Sequence, residues 1–375
     1  MQHDMGFIPP ALFGAGRVAE VPARAVALGA RSVLVVADPF LVQSGALQGL
    51  MAGLEAAGLA SATYADFVGE PKTTHVTAAA RAAADHDLVI GIGGGSALDI
   101  AKSAATIAAP DADSADYAVD GRALPLRRAR RAIMVPTTSG TGSESSATNI
   151  LSGPDGSKLW IWGEVTKPDL VVLDPALTLS LPPHLTAWTG MDALIHAFES
   201  ATNRKTHAGA QLHAHHALRL AAGSLVEAVR DGSDLRARGD LMRASFHAGI
   251  AIDNCNTAMA HAISHALARF GPVHHGLATA LGFEATLPWL VTHDTPDIRA
   301  AAAALGTTPE ALPGHITAMM DACGIARALP ASCAVPDAAA LADEMRRPPN
   351  MPMFRATIGA PDPDRIARAV FDLVA

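Results

Sequence analysis

Short apolar runs and alanine-rich amphipathic stretches alternate through the first half of the chain. Residues 32–38, 87–92, 131–135 and 170–173 contain continuous runs of valine, isoleucine, leucine and their like, the pattern of strands buried on both faces. A weaker strand begins at residues 62–64, and helical spacing predicts helices over residues 46–58, ending in glycine, and 75–86. Strands alternating with helices predict a mostly parallel sheet with helices on its faces. From about residue 181 the pattern changes to a helical periodicity that persists to the end. Prolines interrupt both kinds of element within residues 174–183. The chain is therefore expected to divide into an α/β domain over residues 1–179 and an all-helical domain over residues 180–375.

At 375 residues the chain is long enough for two domains with a core each. Half of its residues are apolar and 17% are charged, which excludes a disordered chain. A net charge of −8 with a pI near 6.0 gives no footprint for nucleic acid or an anionic membrane surface, and neither is expected as a partner. The one basic run, Arg127, Arg128, Arg130 and Arg131, precedes a strand and reads as its solvated entry. No apolar stretch reaches the roughly 18 residues of a membrane span, and no basic and apolar leader pattern opens the sequence. Three scattered cysteines, Cys255, Cys323 and Cys333, do not make a disulfide framework. A reduced, cytoplasmic protein is expected.

Candidate chemistry lies in both parts. Asp192 and His196 stand four apart in a helical stretch, so they share one face and can converge on one ion. His261 and His265 repeat that spacing, and His275 lies past a turn at Gly271-Pro272 that can return it to the same point. Asp192, His196, His261 and His275 together offer one carboxylate and three imidazoles, a set that suits Fe(II), Zn(II) or another late divalent ion and disfavours Ca(II) and Mg(II). Ligand type alone does not choose iron. The richest other histidine run, His213, His215 and His216, has no carboxylate beside it and reads as a solvated helix face. In the first part, Gly93-Gly94-Gly95-Ser96 follows a strand and opens a helix, which lets backbone amides approach a pyrophosphate. A second polar loop, residues 136–144, leaves another strand end, and such ends line the crevice where open α/β sheets bind ligands. Asp38 ends the first strong strand, where a carboxylate can accept a ribose diol and repel a 2′-phosphate.

Through residues 93–96 with Asp99 and Lys102, the 136–144 loop, the stretch from Gly190 to His196, and His261, His265 and His275 with Gly276, the chain resembles the iron-dependent, group III alcohol dehydrogenases over nearly its whole length. The resemblance implies a Rossmann-like parallel-sheet nucleotide domain followed by an all-helical metal-binding domain. It implies Asp192, His196, His261 and His275 as ligands of Fe(II), with Zn(II) as the alternative ion. Gly94, Gly95, Ser96, Thr137, Thr138, Thr141 and Lys158 correspond to dinucleotide contacts, and Asp38 to the acidic residue that favours NAD(H) over NADP(H). The implied substrate is a small primary alcohol or aldehyde, with His265 as a proton relay or a positioning residue and a homodimer as the assembly. His274 departs from the family, standing where many members have proline. The tail departs too, and its Arg346, Arg347 and Arg355, with Asn254 and Asn256, raise the expectation of an acidic group on the substrate. The rival readings are a three-ligand zinc polyol dehydrogenase or a dehydroquinate-synthase-like enzyme on the same fold, a regulatory protein that binds nucleotide or metal without catalysis, and a structural helical assembly protein.

Overall fold

The apolar runs become the centre of one parallel sheet. In this computed structural model, which describes residues 4–118, 121–154, 156–348 and 350–374, the strands are β1 (Ala11–Phe13), β2 (Ser32–Ala37), β3 (Ala60–Tyr64), β4 (Leu88–Gly93), β5 (Arg131–Pro136), β6 (Thr148–Ser152), β7 (Lys158–Trp162) and β8 (Leu170–Leu173). Six of them pair in the order β1-β8-β5-β4-β2-β3, all parallel, while β6 and β7 form a separate antiparallel hairpin. Helices α1 (Val21–Ala27), α2 (Pro39–Gln43), α3 (Gln48–Ala56), α4 (Thr73–Ala83) and α5 (Gly95–Ile107) supply the connections. Because successive strand side chains point to opposite faces, Val33, Val35, Ile90 and Ile133 pack with Val21, Leu50 and Leu54 of α1 and α3. Leu34, Val36, Val89 and Met134 pack on the other face with Val76, Ala80, Ile100 and Ala104 of α4 and α5.

The chain reverses direction across the sheet at β2, which has β3 on one side and β4 on the other. Their carboxyl ends meet at a topological switch point, the usual ligand crevice of such sheets. The basic run before β5 is solvated in part, at the exposed Arg127 and Arg131, and tied down at the half-buried Arg128 and Arg130. Arg128 and Arg131 each hold Asp169 at 2.8 Å, and Arg130 donates to the carbonyls of Ala83 and Ala84. The Asp169 carboxylate and the carbonyls at the end of α4 thus hold three of the four guanidiniums.

A second compact unit comprises the residues from 179 onward, with Ser139–Gly142 and the amino-terminal Met5 grouped with it. Its helices are α6 (Pro183–Thr202), α7 (Ala208–Arg230), α8 (Leu235–Cys255), α9 (Met259–Ala268), α10 (His275–Leu290), α11 (Pro296–Ala304), α12 (Leu312–Ala322), α13 (Ala338–Arg346), α14 (Asn350–Ala356) and α15 (Pro363–Val374). No described residue after Leu173 is in a strand. From Thr186 onward α6 is buried nearly all round, which makes it the central helix of the unit. Its Phe198 meets Phe283 of α10 edge-on at 5.1 Å. No helix among the described residues is long and apolar enough to cross a membrane.

Candidate active site

Helical pitch sets the first half of the candidate metal centre. Asp192, His196 and Glu199 occupy positions i, i+4 and i+7 of α6 and so face one way. His261 comes from α9, and His275 is the first residue of α10. One donor atom each from Asp192, His196, His261 and His275 lies within 4.8 Å of the other three. The Nε2 atoms of His261 and His275 are both 3.5 Å from Asp192 Oδ1.

Every imidazole is held by its other nitrogen. His261 Nδ1 lies 2.7 Å from Glu199 Oε2, His275 Nδ1 lies 3.0 Å from Ser264 Oγ, and His196 Nδ1 lies 3.3 Å from the Gly140 carbonyl. Such outer bonds fix the tautomer and turn Nε2 toward an ion. Gly140 can deliver its carbonyl because it has no side chain: a Cβ there would stand 2.7 Å from that of Thr189. Glu199 also accepts the backbone N–H groups of Ala258 and Ala260 and thereby caps α9 from across the fold.

One carboxylate sits among three imidazoles, and each shifts the others. Burial alone would raise the Asp192 carboxyl, but the imidazoles of His196, His275 and His261 outweigh it and hold it well below the usual carboxylate range. Burial pushes His196 down to about 4, against the pull of Asp192. Burial also opposes a charge on His261, yet Glu199 and Asp192 flank that ring and raise it to about 9. Asp192 Oδ1 and His261 Nε2 are buried without a hydrogen-bond partner, a desolvation cost of about 1–3 kcal/mol for each such group. A divalent ion satisfies both atoms at once, so the donor set fits a late divalent metal.

The nucleotide candidates of the sheet unit gather at the switch point. Gly93, at φ +150°, ends β4, and a Cβ on it would meet Ala97 at 2.7 Å and Asp38 at 3.0 Å. Gly94 is the amino-terminal cap of α5 and brings no side-chain acceptor, so the first amides of the helix, from Gly95 and Ser96 on, face outward. Thr137 donates its N–H to the Gly93 carbonyl, and Thr138 is the next residue along, at the end of β5. Asp38 follows β2 and accepts the Phe40 N–H at 2.9 Å, capping α2. Thr141 lies in the segment Ser139–Gly142, which groups with the helical unit. Lys158 pairs with Glu70 on the hairpin. Asp99 and Lys102 act as a brace: Lys102, fully buried, donates to the carbonyls of Ser146 and Thr148, and Asp99 accepts from Ser143 and Ile150.

Residues 9–175 match the model of the iron-containing alcohol dehydrogenases, and residues 186–340 match the carboxyl-terminal model of the same family. The chain belongs to the iron-containing alcohol dehydrogenase family. The long-chain-alcohol dehydrogenase 1 of Geobacillus thermodenitrificans is 37% identical over 278 residues, covering 73% of this chain and 70% of that protein. Among solved structures, a 1,3-propanediol oxidoreductase superposes with a TM-score of 0.91 at 26% identity over the full length of both chains. A sulfoacetaldehyde reductase from Bifidobacterium kashiwanohense, in complex with NAD+, superposes with a TM-score of 0.89 at 29% identity, over 100% of this chain and 99% of that one. The resemblance read from the motifs holds, as does the Rossmann-like domain with an all-helical partner. As a member of this family the protein is an oxidoreductase of alcohols and aldehydes that uses a nicotinamide coenzyme.

Within this family member, His265 is buried in α9 with its ring 5.6 Å from that of His275, outside the four-donor group. His274, the departure from proline, accepts the Gly276 N–H and caps α10 at its first turn. Arg346 is engaged by Asp343, Asp362 and Asp364, and Arg347 by Glu344; Arg355 is exposed on α14. Asn254 donates to the Ile250 carbonyl within α8. Glu199 is not among the candidates that the sequence motifs single out. Its spacing from Asp192 and His196 places it on their face, which is the signal that would have found it.

Proposed function

We propose that this protein interconverts a small primary alcohol and its aldehyde with NAD(H), using a divalent metal held by Asp192, His196, His261 and His275. The observation that carries the reading is the convergence of those four donors with each imidazole's Nδ1 bonded elsewhere. Bound there, a divalent ion supplies Lewis acidity that polarises a carbinol or carbonyl oxygen. Asp192 contributes the one negative charge among the ligands. The partial exposure of His275, 32% of its side chain, supports approach of a substrate oxygen from that side. His265, next to it, is placed to hold or move a proton at that oxygen or to steady the His275 ring.

The native ion is Fe(II) on the strength of the family, with Zn(II) able to occupy the same donors. We assign the dinucleotide to the domain of residues 1–179, over Gly94, Gly95, Ser96, Thr137 and Thr138, with Asp38 favouring NAD(H), and the metal to the domain of residues 180–375. Thr141 and Lys158 remain assigned as dinucleotide contacts, Lys158 by exchanging its Glu70 partner. The likeness to a sulfoacetaldehyde reductase supports substrates with an acidic group, although Arg346 and Arg347 already have carboxylate partners. A homodimer is supported by the edge position of β1, with Phe7, Ile8 and Phe13 exposed on or just before it. The three free, buried thiols support a reducing, cytoplasmic setting.

Protein purified without air is assayed for bound metal and for NADH oxidation across a panel of short aldehydes. Bound iron and metal-dependent turnover are the expected result. A metal-replete protein that oxidises neither NADH nor NADPH with any aldehyde sinks the reading.

A further inference from the structure

The histidine run on α7 is not a solvated face. His213 and His216 are half-buried and meet a third half-buried ring, His247 of α8. His213 Nδ1 lies 3.0 Å from His247 Nδ1, with the two rings nearly parallel at 21°. His216 stands edge-on to His247, ring centres 4.7 Å apart. Two Nδ1 atoms this close cannot both carry hydrogen, so one ring donates and the other accepts, and at least one nitrogen lone pair points into the gap.

The geometry points to a second transition-metal site, remote from the first in sequence, in which His213 and His247 clamp a divalent ion of the Zn(II), Ni(II) or Cu(II) class and His216 turns to join them. Two imidazole nitrogens at the usual zinc distance of about 2.0–2.1 Å and separated by about 3.0 Å subtend roughly 95° at the ion, between octahedral and tetrahedral values. Closing the clamp thus needs a shift of a few tenths of an ångström and a change of tautomer in the donor ring, its proton passing from Nδ1 to Nε2 by exchange with water so that both rings stay neutral. The donors are imidazoles without a carboxylate, which selects the later ions over Fe(II) or Mg(II) and distinguishes this site from the one built on Asp192. Burial leaves these rings with little affinity for protons at neutral pH: it lowers all three, His247 to about 4. The cations facing the cluster are Arg243, four residues before His247 and paired with Asp240, and Arg219 on α7 beside His216. They oppose a bound dication, so the site is the weaker of the two and fills only after the four-donor site. An ion there pins α7 to α8 and stabilises the fold by mass action.

The test starts from protein already saturated at the four-donor site. It is incubated with Ni(II), separated by gel filtration, and analysed for metal per chain, with thermal unfolding in parallel. The expected result is a second equivalent and a raised Tm in the wild type, both lost in the double variant His213→Gln/His247→Gln, whose turnover and first equivalent are unchanged. A wild type that takes no second equivalent, or a double variant that keeps it, overturns the proposal. Should the double variant fail to fold, the wild type decides alone: Cu(II) in the second site must show paramagnetic coupling to two or more imidazole nitrogens, and coupling to none or one overturns the site.

Discussion

Glu199 and His261 are joined by a hydrogen bond of 2.7 Å between Oε2 and Nδ1, and the same carboxylate holds two amides at the start of the helix that carries His261. One side chain therefore sets both where His261 stands and which of its nitrogens faces the other three candidate donors. Glu199→Gln keeps the shape but removes the charge that draws His261 up. Metal affinity, read by chelator competition, should fall about 10- to 100-fold, with the circular dichroism spectrum retained. Unchanged affinity would reduce Glu199 to a helix cap.

Removing a ligand is a harsher change. His275→Ala and His196→Ala should each lose bound metal and turnover while the protein stays folded. Metal analysis of the purified variants checks this, and full occupancy in either one would remove that residue from the ligand set.

Asp38 caps α2 through one oxygen and abuts Gly93, which puts its carboxylate beside the loop proposed for the pyrophosphate. Asp38→Gly should narrow or invert the ratio of kcat/KM between NADH and NADPH, because a 2′-phosphate would no longer face a negative charge. An unchanged ratio leaves Asp38 as a turn residue only.

Substrate charge is tested with a matched pair. Succinic semialdehyde should be reduced at least as well as butanal, judged by kcat/KM. Strong preference for butanal, unaffected by Arg355→Ala, would exclude a role for an acidic group.

Stability should depend on pH through the cluster of His213, His216 and His247, which Arg219 and Arg243 also face. A buried imidazole whose affinity for protons is depressed adds no penalty above its ordinary value near 6.5, but below it the unfolded chain binds protons that the folded chain refuses. In metal-free buffer, Tm should fall as pH drops from about 6.5 toward His247's value of about 4. His247→Leu should fall less steeply over that window. Equal slopes would show that the cluster contributes nothing.

What the sequence discloses depends on the range of the interaction. β2, β4, β5 and β8 are legible because burial on both faces makes them continuous apolar runs. β1, three residues long, has no room for a period, and the β6–β7 hairpin is only half-buried, so its pattern is weak. The pairing of Asp192 with His196 follows from helical spacing, whereas their meeting with His261 and His275 is made by the packing of α6 against α9 and α10. Glu199 was visible as spacing but not as function, since the amides it holds lie some sixty residues further on. The partner of His213 lies 34 residues away on another helix, and no local rule connects them.

The three Nδ1 anchors at Gly140, Glu199 and Ser264 come from a loop, a central helix and a neighbouring helix, so three separate parts of the helical unit aim the three candidate imidazoles. The aim of each ring is therefore shared among distant stretches of sequence, and a change at any one of them reaches the candidate centre without touching a donor atom.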